Sequence, residues 1–182
     1  MKKIITFFLN FFKILIIKIL FFKKIRISYF CNFHGRFEIT VKGKETHLII
    51  PRTITTRNGF ACRVSGGGYA KIGENCFFNY NCMIASMKKI IIGDNCIFGN
   101  NVTIIDHDHN YKSSNRKHEY LSSEILIGEN SWIGANVVIL RGTKIGKGCV
   151  IGAGTVVRGV IPDNSLVTGS KELNVKSINY EN

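Results

Sequence analysis

From residue 72 onward an apolar residue opens every sixth position of the chain. Residues 72–89 divide as IGENCF, FNYNCM and IASMKK, and after a two-residue insertion 92–109 divide as IGDNCI, FGNNVT and IIDHDH. Past a polar interruption, 127–162 divide as IGENSW, IGANVV, ILRGTK, IGKGCV, IGAGTV and VRGVIP. Each hexad usually has Gly, Ala or Asn second and tends to carry a small or β-branched residue fifth. Such a period predicts a parallel β-helix. A hexad supplies one short strand and one turn, and three hexads return the chain to a point above its start, so successive coils pair as parallel strands about 4.8 Å apart. The opening residue points into a prismatic core, while Gly and Asn supply the tight corner geometry. That role accounts for the glycines, and none is assigned to phosphate binding. Residues 54–71, opening at Ile54 and Phe60, read as a weaker first coil loosened at Ser65-Gly66-Gly67-Gly68, and 31–53 read as an irregular lead-in.

The first thirty residues follow another rule. MKKIITFFLNFFKILIIKILFFKKIRISYF has a basic start and an apolar body, with no small-residue cleavage site to mark a signal peptide. At 100° per residue, Lys2, Lys3, Thr6, Asn10, Lys13 and Lys24 gather within about a third of a helical wheel, and Phe, Ile and Leu fill the rest. Residues 1–30 are therefore expected to form an amphipathic helix lying on an anionic leaflet. Two other readings stay open: an anchor whose Lys13 and Lys18 snorkel, and a helix packed on its own domain or another subunit.

Charge sharpens this picture. At 182 residues the chain fits one domain with an appendage, and its formal charge of +13 is crowded toward the N-terminus. Anionic partners follow: a membrane surface or phosphorylated small molecules. Nucleic acid is not expected, because the charge lies among Phe and Ile rather than in an aromatic-studded groove. Cys76, Cys82, Cys96 and Cys149 all fall at the fifth hexad position and are read as reduced core residues of a cytosolic protein.

The hexad IIDHDH crowds four titratable groups just before the interruption NYKSSNRKHEYLSSE. Insertions leave a solenoid at a corner and project over one face, so residues 110–124 are expected to protrude, with His107 and His109 beside them. Alternation puts both rings on one face, and the spacing alone does not separate them. His34, His47 and His118 have no comparable context.

Over residues 54–169, and most strongly in IGDNCIFGNNVT and IGENSWIGANVVILRGTKIGKGCVIGAGTVVRGVIPDNSLVTG, the chain resembles the hexapeptide-repeat acyltransferases. The fold class this implies is all-β, a left-handed parallel β-helix with an N-terminal basic amphipathic helix and a C-terminal tail at 170–182. The run from SWIG to IPDNSLVTG is similar to the galactoside, maltose and polysaccharide O-acetyltransferase branch, which implies acetyl-CoA as co-substrate and a homotrimer with active sites between subunits. A gapless alignment sets His109 on the branch's catalytic base, and a shift of two would choose His107. A histidine suits the proton transfer from an attacking hydroxyl. Asp106 or Asp108 would orient the ring and stabilise the imidazolium, and both are counted with the acceptor-side residues.

The resemblance also carries Asn79 onto an acceptor contact, with corner geometry as the competing explanation, and Trp132 onto a pocket wall. The branch's acidic pair nearby is not matched, since Ser86 and Met87 stand there. Ala135 and Ala153 match positions lining the CoA groove, and Arg158 and Gly159 match the next contact pair, where Arg158 would meet a CoA phosphate. Basic contacts after VTG are not reproduced, though Lys171 or Lys176 could substitute. The implied activity is acetyl transfer to a sugar hydroxyl of a bacterial surface polysaccharide, O-antigen or capsule, or its precursor, in the cytoplasm on the inner face of the cytoplasmic membrane. An amino-sugar N-acetyltransferase and a serine acetyltransferase are variants. A zinc hydratase on the same fold and a non-catalytic scaffold are further alternatives; no metal site is assigned.

Overall fold

The computed structural model describes residues 2–169, with side chains from residue 8 onward. Three parallel sheets of seven, seven and six strands run along one prism, and a two-stranded antiparallel hairpin stands off it. The chain visits the sheets in strict rotation. Lys89–Ile92 of the first sheet precedes Ile97–Phe98 of the second and Thr103–Ile105 of the third, and the next coil follows directly above. This is the parallel β-helix that the hexads predict, of the left-handed kind that the resemblance implies.

Hexad-opening residues stack into the core as expected. Ile92, Phe98, Ile104, Ile127, Ile133, Ile139, Ile145 and Ile151 are all buried. Phe78 and Phe98 stack with ring centroids 4.4 Å apart, because parallel pairing sets identical hexad positions one above another. All six cysteines are free and buried, and burial pushes the Cys62 thiol up to about 12.

Corners obey a second stacking rule. Asn75, Asn95 and Asn130 turn one corner, and Asn81, Asn101 and Asn136 the next, all with φ between 56° and 58°. Asparagine tolerates this left-handed conformation because its short polar side chain bonds locally. Here it bonds between coils: Asn81 Nδ2 donates to Asn101 Oδ1 at 3.2 Å, and Asn101 Nδ2 donates to Asn136 Oδ1 at 3.0 Å.

The ladders begin earlier than the hexads indicate. Residues 31–53, expected to be irregular, carry Asn32–Phe33, Phe37–Lys42 and His47–Ile50, and the first sheet starts at Ile25 within the stretch assigned to the helix. The reason is coil length. Register partners Ile25 and Leu48 lie 23 residues apart, Leu48 and Ala70 22, Ala70 and Ile90 20, and the ideal 18 is reached later, at Ile127 and Ile145 and at Ile133 and Ile151. Six-residue strands at Phe37–Lys42 and Phe60–Ser65 lengthen the early coils and shift the hexad phase. The tail at 170–182, with Lys171 and Lys176, lies outside the described residues.

The N-terminal helix, Lys2–Leu20, caps the open end of the prism. It packs on its own domain through Ile14, fully buried, and through Asn10, whose Nδ2 donates to the Phe33 carbonyl at 2.6 Å. Part of the expected polar stripe therefore faces inward, where an end-strand carbonyl needs a donor. Leu9, Phe12, Ile16 and Ile19 remain more than half exposed on the opposite side. Among the described residues no helix is long and apolar enough to cross a membrane.

The corner ladder can be tested at Asn101. Asn101→Ala removes both side-chain bonds and leaves a Cβ residue at positive φ, so urea unfolding is expected to show a loss of about 2 kcal/mol. Asn101→Gly keeps the backbone freedom and is expected to lose roughly half as much.

Candidate active site

The fourth coil does not turn its third corner. After Thr103–Ile105 the chain sends Asp106 inward and runs out as His107–His109, which pairs antiparallel with Tyr120–Ser122 before the ladder resumes at Ile125. The protruding insertion is thus a hairpin, and its base is fixed by one side chain.

Asp106 is fully buried, and five donors surround its carboxylate. Oδ1 accepts from Met87 N–H at 2.8 Å and faces His107 Nδ1 at 3.0 Å, while Oδ2 accepts from Ser86 Oγ at 2.8 Å, Lys88 N–H at 2.9 Å and Lys89 N–H at 2.8 Å. Burial alone opposes ionisation, but the His107, Met87, Ser86 and Lys88 bonds outweigh it and hold the carboxyl below its ordinary range. Asp106 therefore orients a histidine, as one reading expected, but at 0% exposure it does not reach an acceptor. The same cradle explains why Ser86 and Met87 replace an acidic pair: a carboxylate at 86 would face the buried carboxylate of Asp106.

Both rings are held as the same tautomer. A carboxylate and a backbone carbonyl only accept, so His107 Nδ1 donates to Asp106, and His109 Nδ1 donates to the Arg116 carbonyl at 2.7 Å. Each neutral ring then presents Nε2 with its lone pair free, the form a general base requires. Tyr120 touches both, its ring centroid 5.8 Å from His107 and 4.6 Å from His109, which places the two rings on one face as alternation predicts. The His107 side chain is 17% exposed, and His109 is exposed.

Asp108 faces away from the histidines. It accepts from Arg141 Nε at 2.7 Å, and its Oδ2 lies 3.7 Å from Arg158 Nη2. Arg141 and Arg158 occupy the same corner in the fifth and sixth coils, so this pairing ties the hairpin to the coils above it. Asp108 is thus a hairpin anchor in this structure and orients neither ring. Gly159, at φ 96°, shares the corner, and its carbonyl accepts from Lys144 N–H at 2.8 Å.

The other predicted residues meet elsewhere. Asn79, Trp132, Ala135 and Ala153 line one groove of about 410 Å³ on the second sheet and its onward corner. Trp132 stands outward, 57% exposed, as its sixth hexad position predicts. Asn79 turns its Oδ1 to Tyr80 N–H at 3.0 Å. Small residues keep this wall flat: a Cβ on Gly99 would lie 2.6 Å from Ala135 N, and one on Gly134 would lie 2.7 Å from Ala153 N. The proposed CoA residues therefore split, with Ala135 and Ala153 in the groove and Arg158 and Gly159 beside the histidine hairpin. Sequence reasoning missed Arg141 and Tyr120, although Tyr120 is the one aromatic that hairpin pairing sets opposite His109. Among the described residues no group of three His, Cys, Asp or Glu side chains is placed to hold a metal ion.

Asp106→Asn turns one accepting oxygen into a donor against Ser86, Lys88 and Lys89, or against Met87 and His107. A loss of roughly 3 kcal/mol is expected near neutral pH in urea unfolding. Because the folded carboxyl titrates below its unfolded value, the stabilisation is present above about pH 4 and decays as pH falls through the folded value. The gap between wild type and Asp106→Asn is therefore expected to narrow on acidification.

Comparison with known proteins agrees with this architecture. The model described as bacterial transferase hexapeptide (six repeats) matches residues 124–159, and the one described as hexapeptide repeat of succinyl-transferase matches 69–105. WbbJ of Escherichia coli (strain K12), named provisionally as a lipopolysaccharide biosynthesis O-acetyl transferase, is 33% identical over 137 residues, 70% of each chain. The crystal structure of a maltose O-acetyltransferase from Clostridium difficile 630 is 30% identical with a TM-score of 0.53, covering 81% of this chain and 71% of that one. A hexapeptide-repeat acetyltransferase of Vibrio cholerae O1 biovar eltor, solved with acetyl coenzyme A, is 28% identical with a TM-score of 0.54, covering 71% of this chain and 66% of that one. Against several further curated acetyltransferases the chain spans little more than half of their length, 53% to 58%. Repeat, ladders and these matches together establish that the chain belongs to the hexapeptide-repeat acetyltransferase family, as an acyltransferase with acetyl-CoA as co-substrate.

Proposed function

We propose that the chain is an O-acetyltransferase acting on a sugar hydroxyl of a bacterial surface polysaccharide, such as O-antigen or capsule, or of its precursor. The observation that carries this is the pair of histidines locked as Nδ1–H tautomers beside a protruding hairpin, with Nε2 free. The similarity to WbbJ supports the polysaccharide part.

In this reading His109 is the base. Its exposure lets Nε2 reach an incoming hydroxyl, and the Arg116 carbonyl holds the ring in place. His109 takes the hydroxyl proton as the oxygen attacks the thioester carbonyl, and the imidazolium returns it to the departing CoA thiolate. One observation favours His107 as the alternative: the Asp106 carboxylate would stabilise its imidazolium.

Ala135, Ala153 and Trp132 would line the CoA groove, Asn79 would contact the acceptor, and Arg158, 54% exposed at its side chain, would meet a CoA phosphate. Groove and histidines lie on different edges of one prism. A second copy, set so that its groove meets this hairpin, would complete the site, and a homotrimer closes that arrangement three times. The outward second-sheet column of Ile97, Trp132 and Leu166, at 49%, 57% and 72% exposure, is the apolar surface such packing would cover. The exposed helix face and basic N-terminal segment support a place on the inner face of the cytoplasmic membrane.

Thiol release from acetyl-CoA tests the reading directly, with sugar, amino-sugar and serine acceptors offered in parallel. His109→Ala is expected to lower kcat roughly 10²- to 10⁴-fold while thermal unfolding stays near wild type. Loss with His107→Ala alone would move the base by two residues. Release with serine or an amino sugar, and none with any sugar hydroxyl, would overturn the acceptor class.

A further inference from the structure

At the capped end of the prism, Lys23, Lys24, Arg26 and His47 line a second cavity of about 290 Å³ together with Leu48, Ile49 and Tyr69. The local backbone explains how three cations reach one opening. Lys23 takes a left-handed φ of 70°, ending the helix, and the Lys24 carbonyl accepts from Leu48 N–H at 2.9 Å, which starts the first ladder at Ile25. Arg26 then projects outward from the edge strand. Among the described residues no carboxylate lies within ion-pair distance of Lys23, Lys24, Arg26 or His47, whereas Arg63, Lys89, Arg141 and Lys144 all have acidic partners. Lys23 Nζ lies over the Phe22 ring at 5.9 Å from its centroid, and an opening lined by cations without acidic partners, with no acid in its wall, suits an anion.

Apolar surface adjoins it. Phe22, next to Lys23, is 74% exposed, and Leu9, Phe12, Ile16 and Ile19 recur at helical spacing along the face turned away from the prism. Lys13 and Lys18 flank that face and lie over the Phe37 and Tyr29 rings, at 5.5 and 4.0 Å from the centroids. A second copy is a poor occupant, because a two-fold contact through this patch would set its unpaired cations against themselves.

We infer that the cavity of Lys23, Lys24, Arg26 and His47 binds the phosphate of a bilayer lipid while the outer face of the N-terminal helix enters the acyl boundary, seating the prism on its capped end. This deepens the membrane placement proposed above and has a geometric consequence for the acceptor. His47, Tyr69 and Lys89 stack in register up the same edge, and Lys89 N–H bonds Asp106 at the root of the histidine hairpin. Three coil steps, about 14 Å at the parallel-strand spacing, separate Lys24 at the foot of the cavity from Lys89, and Tyr69 at its upper rim lies one step below Lys89. A seated enzyme holds its histidines one to three coil steps above the lipid phosphates, where a membrane-held saccharide would present a sugar at fixed distance from its anchor.

Vesicle flotation of the full chain tests the inference without acetyl-CoA or acceptor, so it stands or falls separately from the catalytic reading. Vesicles are either phosphatidylcholine alone or phosphatidylcholine with phosphatidylglycerol. Wild type is expected to float with the anionic vesicles, and Lys23→Gln/Lys24→Gln/Arg26→Gln to lose roughly a hundredfold in partition. Arg57→Gln/Lys112→Gln/Lys147→Gln, three exposed cations outside the cavity wall, is the control and is expected to lose less than about tenfold. Equal losses from the two triples would reduce the effect to net charge and overturn the site. Phe12→Asp/Ile16→Asp, at positions already more than half exposed, should fold with an unchanged thermal transition and fail to float. Undiminished flotation of that variant would remove the helix face from the contact.

Discussion

Parallel pairing of successive coils, at one strand spacing per turn, is the constraint on which the rest of this structure depends. Every coil must return to the same three strand lines, so like positions stack: isoleucine and phenylalanine inside, asparagine or glycine at the corners. The corners carry the strictest demand. Positive φ is unfavourable for residues with a Cβ, and repeating it at each coil would accumulate strain. The asparagine ladders offset that cost by bonding one coil to the next through the side chains that make the turn possible. Local conformation and long-range pairing are thereby satisfied by the same residues, which is the consistency expected of a sequence that specifies one fold.

A solenoid so regular has few places for chemistry, because its inward positions are apolar and its outward positions lie on flat faces. Asp106 makes one. It lies in the hexad that also supplies buried Ile104, yet carries a carboxylate, and the corner below it, 86–89, turns its hydroxyl and three amides toward that charge. With the donors in place, a buried anion becomes tolerable and the chain is released from the ladder for the length of a hairpin. Asp108 and Arg141 then hold the hairpin against the coils above it. The histidines are therefore supported from below by a buried carboxylate and from above by a partly exposed ion pair, and the first of these supports is the stronger.

Most of the fold was legible because hexad periodicity is a direct record of the stacking constraint. Where coils exceed 18 residues, as from Ile25 to Leu48, the phase drifts and the pattern disappears, although the ladder persists. The helix was legible as amphipathic, but not which side faces the protein. Asn10 shows why: a wheel sorts residues by polarity, whereas packing sorts them by partner, and the open end of a prism offers unpaired carbonyls that favour a polar contact. The site was legible in part. Alternation placed His107 and His109 on one face, and Trp132 outward, from spacing alone. Separating Asp106 from Asp108 required knowing which lies at the corner and which lies on the hairpin, information carried by the preceding coil at Ser86 and Met87 rather than by the motif itself.

Rigidity gives the distribution of charge its meaning. In a flexible protein, basic residues near the N-terminus would say little about a site three coils away. In a prism whose coils are locked in register, the edge that carries Lys24, His47, Tyr69 and Lys89 is a straight line to the root of the histidine hairpin. The groove of Trp132, Ala135 and Ala153 lies on another edge and cannot swing toward that line without breaking ladder bonds in every coil between. In the proposed reading the fold thus separates the donor groove from the histidines, and a second copy of the chain is what would bring them together. A solenoid of this kind works as a fixed frame, in which the height of the chemistry above the capped end is set by the number of coils beneath it.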